Sequence, residues 1–272
     1  IVLQPNLLSA RLGKGAMLAD IMRMEAAGDL STHDGLPYAA GRLNPQGAVF
    51  KSEAIAAGDF SKPRRVNDCG APHQPLPAPD GSGRRVLSVN DLIDTDSGAW
   101  PPERKMAIRD ARADAAVLRE PALLLGAELI GFCDDWRNFF NHFALHPTAR
   151  SCMGFSFLDQ DGVLRFAAES VLGFGMKVAS NVAQRLANAV ALVVRERMDA
   201  LEAPFLAELR AAGSDEVKAW LRARDRLSVL TGREQARLYA IGIYTDDSHG
   251  FAVGAARLRR LLGVWTEVCA EF

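Results

Sequence analysis

The chain has no excess of charge of either sign. Its 272 residues include 32 Lys and Arg against 33 Asp and Glu, which gives a formal net charge of −1. A bulk basic surplus, the simplest indication of nucleic-acid binding, is therefore missing. If the protein binds nucleic acid, we expect local basic patches to do so.

Cysteines are few and scattered. The four, Cys69, Cys133, Cys152 and Cys269, form no CxxC pair and have no His at zinc-ligand spacing. This pattern argues against a zinc module and against a secreted disulfide framework. It favours a reducing compartment, so we expect an intracellular protein of the cytoplasm or nucleus.

Long hydrophobic runs are also missing. The most apolar stretch, 187–194, contains Asn188 and falls well short of the roughly 18 to 20 residues of a membrane span. The first residues lack the order of a signal peptide, and the chain begins at Ile1. We therefore expect a soluble piece of a longer product, without a membrane partner.

The patterns that are present interleave strands and helices without a βαβ rhythm, which predicts an α+β fold. Asn181 is a candidate helix cap, with Gln184 reaching back to it. Near-balanced charge between 195 and 237 is more typical of a solvated helical face than of a binding surface. Strands are expected at 47–51, 127–133, 155–158, 163–166 and 238–244, helices at 103–127, from 181 onward and at 254–272, and a loop at 70–85.

Two of the predicted strands lead into an Asp-Asp pair, Asp134-Asp135 and Asp246-Asp247. Either pair alone is weak evidence, because Asp is common in turns. If the strands are neighbours, the carboxylates converge and need a strong counter-charge, which Mg²⁺ supplies. Such a site suits phosphoryl transfer by two metal ions.

Four segments carry further patterns in a fixed order: a basic cluster at 62–68, an Asp followed by aromatics at 135–143, a glycine-containing turn at 172–180, and Tyr-x-Asp-Asp at 244–247. In this order they resemble the motifs of reverse transcriptases, the RNA-directed DNA polymerases of retrotransposon-type retroelements. The resemblance extends over roughly 50–272. It implies right-hand polymerase fingers and palm, with an antiparallel palm sheet backed by helices and a thumb that is absent or truncated.

The resemblance also implies the site residues. Asp135, Asp246 and Asp247 would be catalytic and would bind two Mg²⁺, for which Mn²⁺ can substitute. The spacing to Phe140 selects Asp135 rather than Asp134. The nucleotide would be contacted by Lys62, Arg64, Trp136, Phe140, Phe174, Gly175 and Lys177.

Individual roles follow from the same resemblance. Arg64, helped by Lys62, would contact the phosphates, and Phe140 would be the steric gate against the ribose 2′-hydroxyl. Phe174 and Gly175 would line the nascent base pair, and the Trp136 carbonyl would add a metal ligand. The chain departs from the family at two places. It has Gly173 where the family has Pro, and it has Val-Ala-Ser at 178–180 where the family has Asn-Ala-Pro.

The predicted organisation has four parts. Residues 1–44 are a lead-in of uncertain structure, 45–127 with 148–177 form the fingers, and 128–147 with 178–272 form the palm. A charged helical insertion occupies about 195–237 of the palm.

The implied function is reverse transcription as part of a retroelement polyprotein, with primer-template nucleic acid (RNA or DNA) and dNTPs as partners. One alternative is a catalytically incomplete relic or fragment that folds but does not polymerise. Another is a different two-metal enzyme, such as a nuclease. Each motif alone also fits an ordinary structural role: a solvated basic turn, an aromatic core or a glycine cap.

Overall fold

The structure is a computed structural model that describes residues 6–36, 43–70, 88–93, 103, 105–231 and 236–272. Two compact units are present: Ile1–Pro101 with Asn138–Asn181, and Pro102–Arg137 with Val182–Phe272. Both mix helices with antiparallel strands, so the α+β prediction is confirmed. Apart from Gly70, the predicted loop at 70–85 lies outside the described residues.

The first unit contains a three-stranded and a two-stranded antiparallel sheet. The larger has the order β1-β6-β5, and the smaller pairs β2 with β3. The strands are β1 (Leu30–His33), β2 (Gln46–Val49), β3 (Arg64–Asn67), β5 (Gly154–Leu158) and β6 (Leu164–Glu169). The helices are α1 (Leu8–Leu12), α2 (Lys14–Ala27), α3 (Ser52–Ala57) and α5 (Pro147–Arg150), with 3-10 turns at Asn90–Leu92 and Phe139–His142.

The N-terminal residues belong to the core of this unit. Ile21 and Met24 of α2 pack against Leu30 of β1 and Phe155 of β5. The β5–β6 hairpin that its Asp-Gly turn predicts is confirmed. Helix α2 and strand β1 therefore contribute to the core of the first unit.

The second unit is built on a three-stranded antiparallel sheet of order β4-β8-β7. Its strands are β4 (Leu129–Asp135), β7 (Tyr239–Tyr244) and β8 (Asp247–Val253). Its helices are α4 (Ile108–Leu124), α6 (Ala179–Ala212, whose first residues belong to the first unit), α7 (Asp215–Thr231) and α8 (Ala255–Glu271).

Helices cover both faces of this sheet, because successive side chains of a strand point to opposite sides. Tyr239, Ile241 and Ile243 face a core shared with α6 and α8. Phe251 and Val253 face a second core shared with α4 and α7. An antiparallel sheet backed by helices, as expected, is therefore present.

Within the segment 195–237, residues 195–231 are helical, as predicted, apart from a break at residues 213–214, and one face of these helices is buried. Helix α6 runs through residue 195 without a break, and α7 buries Val217, Trp220 and Leu221. These side chains pack against Leu118 of α4. Alternation of charge hid an apolar stripe at helical spacing.

The predicted cap at Asn181 is also wrong. Helix α6 begins at Ala179, so Asn181 lies within its first turn. The side chain of Gln184 is directed to Asn188, Ile243 and Thr245. Asn181 and Gln184 therefore do not form a capping box, and Gln184 instead bonds to the β7–β8 hairpin.

The compact units divide the chain at other positions than the predicted fingers and palm. Residues 102–127 group with the second unit, and residues 138–147 group with the first. Among the described residues, none of the helices has the length and apolarity needed to cross a membrane.

Candidate active site

The Tyr-x-Asp-Asp segment forms the turn of the β7–β8 hairpin. Tyr244 and Asp247 are the last cross-strand pair, so Thr245 and Asp246 make a two-residue loop. Thr245 has a φ of 56°, and Asp246 does not share this left-handed conformation. A positive φ at only the first loop residue is typical of a type II′ turn, which matches the twist of a hairpin.

A buried glutamine holds this turn in place. Gln184 of α6 accepts a hydrogen bond from the Thr245 backbone N–H (3.0 Å) and donates one to the Ile243 carbonyl (3.0 Å). The side chain is fully buried. Since an unpaired amide there would be costly, both bonds constrain the hairpin against α6.

The end of β4 separates its two aspartates onto opposite faces of the sheet. Asp134 faces α8, where the indole N–H of Trp265 donates to its carboxylate (3.0 Å). Asp135 faces the other way and lies directly opposite Asp247 in the β4–β8 register. The two aspartates of the pair therefore have different environments.

Two complementary pairs set the β4–β8 register. Gly131 lies opposite Phe251, and Phe132 lies opposite Gly250. A Cβ atom at either glycine would overlap the facing phenylalanine ring. The rings thus fill the space that the glycines leave, which fixes the pairing two or more residues before the aspartates.

Asp135 and Asp247 form an uncompensated pair of acids. Both are exposed, and residues directly opposite on antiparallel strands have Cβ atoms about 4.5–5.5 Å apart. Within the described part of the chain, neither side chain has an ion-pair or hydrogen-bond partner. Because facing like charges destabilise a sheet, the pair suits a bound cation.

The donor set fits a hard divalent ion, which prefers carboxylate and carbonyl oxygens. Asp246 adds a third carboxylate next to the pair, and its backbone carbonyl accepts from the Trp136 N–H (3.0 Å). Still, among the residues described, no three Asp, Glu, His or Cys side chains already converge as a metal-binding group.

The ring of Trp136 packs within the second unit. The indole contacts that of Trp265, with ring centroids 5.6 Å apart, at the border of the α6–α8 core. Its backbone carbonyl is the atom expected to add a metal ligand.

Strand β3 of the first unit presents one arginine outward and one inward. Arg64 is exposed, whereas Arg65 is 9% exposed. Arg65 pairs with buried Glu169 (2.6 Å) and donates to Gln46 (2.9 Å). The expectation of a basic surface cluster is therefore wrong for Arg65, because the alternation of the strand turns it into the core.

The exposed guanidinium of Arg64 lies over the ring of Phe174, 5.0 Å from its centroid. The ring of Phe140 meets the same ring edge-on, at 4.5 Å. Phe140 is 7% exposed, so the expected steric gate is packed largely inside this aromatic group. Arg64, Phe140 and Phe174 are thus brought together.

The Phe174–Lys177 segment contacts β3 through its backbone. The Asn67 N–H donates to the Phe174 carbonyl (3.0 Å). Gly175 has a φ of 114°, and a Cβ there would overlap the Asn67 carbonyl oxygen. Only glycine combines that conformation with that approach.

Asn90 makes two hydrogen bonds to the other side of this segment. Its amide donates to the Gly175 carbonyl (2.9 Å) and accepts from the Lys177 N–H (2.7 Å). Lys177 and Lys62 are both exposed. The first unit therefore carries a loop that is hydrogen-bonded on two sides and ends at an exposed lysine.

Sequence reasoning missed two positioning residues, Gln184 and Asn90. Both act through backbone groups distant in sequence, so no spacing pattern marks them. The predicted residues fall into two sets, each gathered within its own unit. Asp135, Trp136, Asp246 and Asp247 belong to the second unit, and Lys62, Arg64, Phe140, Phe174, Gly175 and Lys177 belong to the first.

Comparison of the chain with protein-family models and with curated proteins finds no match to either.

Proposed function

We propose that the protein is a template-directed nucleotidyltransferase of the reverse-transcriptase type, which extends a nucleic-acid primer with dNTPs. The observation that carries the proposal is the facing pair Asp135 and Asp247 at the Tyr-x-Asp-Asp turn, without a counter-charge among the described residues. Repulsion between the two carboxylates destabilises the fold when no cation is bound. A metal-dependent phosphoryl-transfer enzyme, by contrast, needs neighbouring carboxylates to bind its ions.

In this proposal the second unit holds two Mg²⁺, or Mn²⁺, through Asp135, Asp246 and Asp247, with the Trp136 carbonyl as a further oxygen. The ions would supply activation of the primer 3′-hydroxyl and charge neutralisation for the departing pyrophosphate. Gln184 would keep the turn in a single conformation, which aligns the carboxylates before substrate arrives.

The residues of the first unit would act on the nucleotide. Arg64, Lys62 and Lys177 would neutralise the triphosphate, because guanidinium and ammonium groups pair strongly with phosphate oxygens. Phe140 would test the sugar from its place beside Phe174. The cysteine pattern adds an intracellular site of action to the proposal.

The decisive test is primer extension. The chain is incubated with poly(rA)/oligo(dT), dTTP and Mg²⁺ or Mn²⁺, and products are resolved on a gel. We expect extension by the wild type, loss of at least about a hundredfold with Asp246→Asn, and full retention with Asp161→Asn, which changes an exposed aspartate of the β5–β6 hairpin. Extension by Asp246→Asn at the wild-type rate would refute the assignment.

A binding readout separates the alternatives. Mg²⁺ should raise the melting temperature of the wild type but not of Asp247→Asn, whose melting temperature without metal should already exceed that of the wild type. Metal binding without extension would favour the incomplete relic. Cleavage of nucleic acid without dNTPs would favour a nuclease.

A further inference from the structure

Helix α7 carries a row of three basic side chains toward solvent. Lys218, Arg222 and Arg226 follow each other every fourth residue, so they share one face and span about 12 Å of helix axis. Arg222 and Arg226 are exposed, and Lys218 is half-buried. Among the residues that the structure describes, none of the three has a side-chain partner. We call these residues the basic row.

Each of the other described basic residues of the segment has an interaction partner. Arg233 lies outside the described residues, and Arg224 is also in contact with a neighbouring group. The remaining contacts are Arg195 to the Ile241 carbonyl (2.9 Å), Arg197 to Glu271 (2.6 Å), Arg210 to Asp225 (3.0 Å) and Arg237 to Asp199 (2.6 Å). The balanced composition therefore conceals a local surplus of positive charge.

The acids of α7 do not cancel this surplus. Asp215 and Glu216 lie in the first turn, where the helix dipole favours acids, and Asp225 is taken by Arg210. Like charges four residues apart destabilise a helix. A polyanionic partner would relieve that repulsion.

The opposite face of α7 limits the kinds of partner. An amphipathic helix that binds a membrane inserts its apolar face among the lipids. Here Val217, Trp220 and Leu221 already fill the core shared with α4. The basic row lies on the side of α7 turned away from this core, and a regular line of cations suits the closely spaced phosphates of a duplex.

We propose that the basic row binds the phosphate backbone of a nucleic-acid duplex, as a contact distinct from the residues that bind the nucleotide and metal. The inference rests on the proposed polymerase function and deepens it, because it assigns the charged helical segment a role in holding the primer-template. The contact would be independent of sequence, since phosphates carry none.

The test is fluorescence anisotropy with a labelled blunt-ended RNA duplex, which offers no recessed 3′ end to the polymerising site. The whole chain is compared with Lys218→Glu/Arg222→Glu/Arg226→Glu and with the corresponding triple alanine variant, which keeps a strong helix former at each position. Arg112→Glu/Arg119→Glu/Arg259→Glu makes the same change in net charge at exposed positions of α4 and α8, without breaking an ion pair of α7, and is the matched control.

We expect the row variants to weaken binding by about ten- to fiftyfold near 0.1 M salt and to reduce the slope of log K against log salt by about 2 to 3. The control should lose much less. Equal losses in the control, unchanged affinity in both row variants, or no binding by the wild type would overturn the proposal. So would row-dependent binding to phosphatidylserine vesicles with duplex affinity unchanged.

Primer extension, measured in parallel, distinguishes the two proposals. Row-dependent duplex binding by a wild type that does not extend primers would leave the basic row standing and refute the polymerase. Extension with no dependence of duplex binding on the row would refute the row alone.

Discussion

At the scale of single residues, Gly175 and Gln184 constrain the backbone beside the candidate-site residues through close contacts. Gly175 touches the Asn67 carbonyl with a left-handed backbone, and Gln184 fills a fully buried position under the hairpin turn. Neither residue carries the chemistry. Both determine where the residues that would carry it are held.

Gly175→Ala should destabilise the first unit, because the new methyl group needs both a strained φ and a displaced Asn67 carbonyl. We expect a loss of about 2–4 kcal/mol in the free energy of unfolding, measured by urea titration. Gly15→Ala is the control, since Gly15 lies in α2 with nothing near its missing Cβ. That change should add about 0.5–1 kcal/mol. Equal effects of the two substitutions would contradict the role given to Gly175.

Gln184→Met should leave the Thr245 N–H and the Ile243 carbonyl without partners. We expect a loss of about 2–4 kcal/mol and faster hydrogen exchange of the Thr245 amide. Gln160→Met, at an exposed position, should change neither quantity. A protected Thr245 amide in the Gln184 variant would show that the turn does not depend on this side chain.

At the scale of elements, α7 has an apolar face that packs in the core and an exposed face that carries the basic row. Its inner face packs Trp220 against α4, and the indole N–H of Trp220 finds no acceptor among the described residues. The ring therefore contributes by packing alone.

Trp220→Ala should cost about 3–5 kcal/mol, whereas Trp220→Phe should cost far less, because it also removes the unpaired N–H. Thermal unfolding monitored by circular dichroism measures both. If the alanine variant melts within a degree or two of the wild type, α7 is not part of the core of the unit.

Elements were predictable from the sequence where one residue pattern dominated. The β5–β6 hairpin, α4, β7 and α8 follow from local periodicity and from an Asp-Gly turn. The inner face of α7 escaped, since Val217, Trp220 and Leu221 are embedded among charges. The positions of Gln184 and Asn90 escaped as well, because their partners lie far away along the chain, as with Thr245, which is 61 positions after Gln184.

At the scale of the whole molecule, each unit buries an acid that ionises only at high pH. Burial raises the pKa of the Cys69 thiol in the first unit from 9.0 to about 12. Burial and a hydrogen bond to Asp199 raise the pKa of Tyr239 in the second. Both groups are held in their protonated forms by the folded chain.

Stability should therefore be complete below about pH 9 and fall above it, because the unfolded chain releases protons that the folded chain retains. Urea unfolding at a series of pH values measures this loss. Cys69→Ala should reduce the loss between about pH 9 and 12, and Tyr239→Phe should reduce it above about pH 10. An alkaline loss unaltered in both variants would mean that other groups cause it.

The glycine–phenylalanine pairs of β4 and β8 determine which aspartate of β4 lies opposite Asp247. Asp134 and Asp135 are chemically the same, and a shift of one residue in the strand pairing would exchange their environments. The charges of the two aspartates do not select one pairing over the other. The volumes of neighbouring side chains do, since Gly131 accepts the ring of Phe251 and Gly250 accepts that of Phe132. Which aspartate faces Asp247, and would bind the metal in the proposed function, is thus decided by the sizes of uncharged neighbours. Evolution could therefore move the carboxylate that faces Asp247 by one position by altering those sizes, without changing an acid.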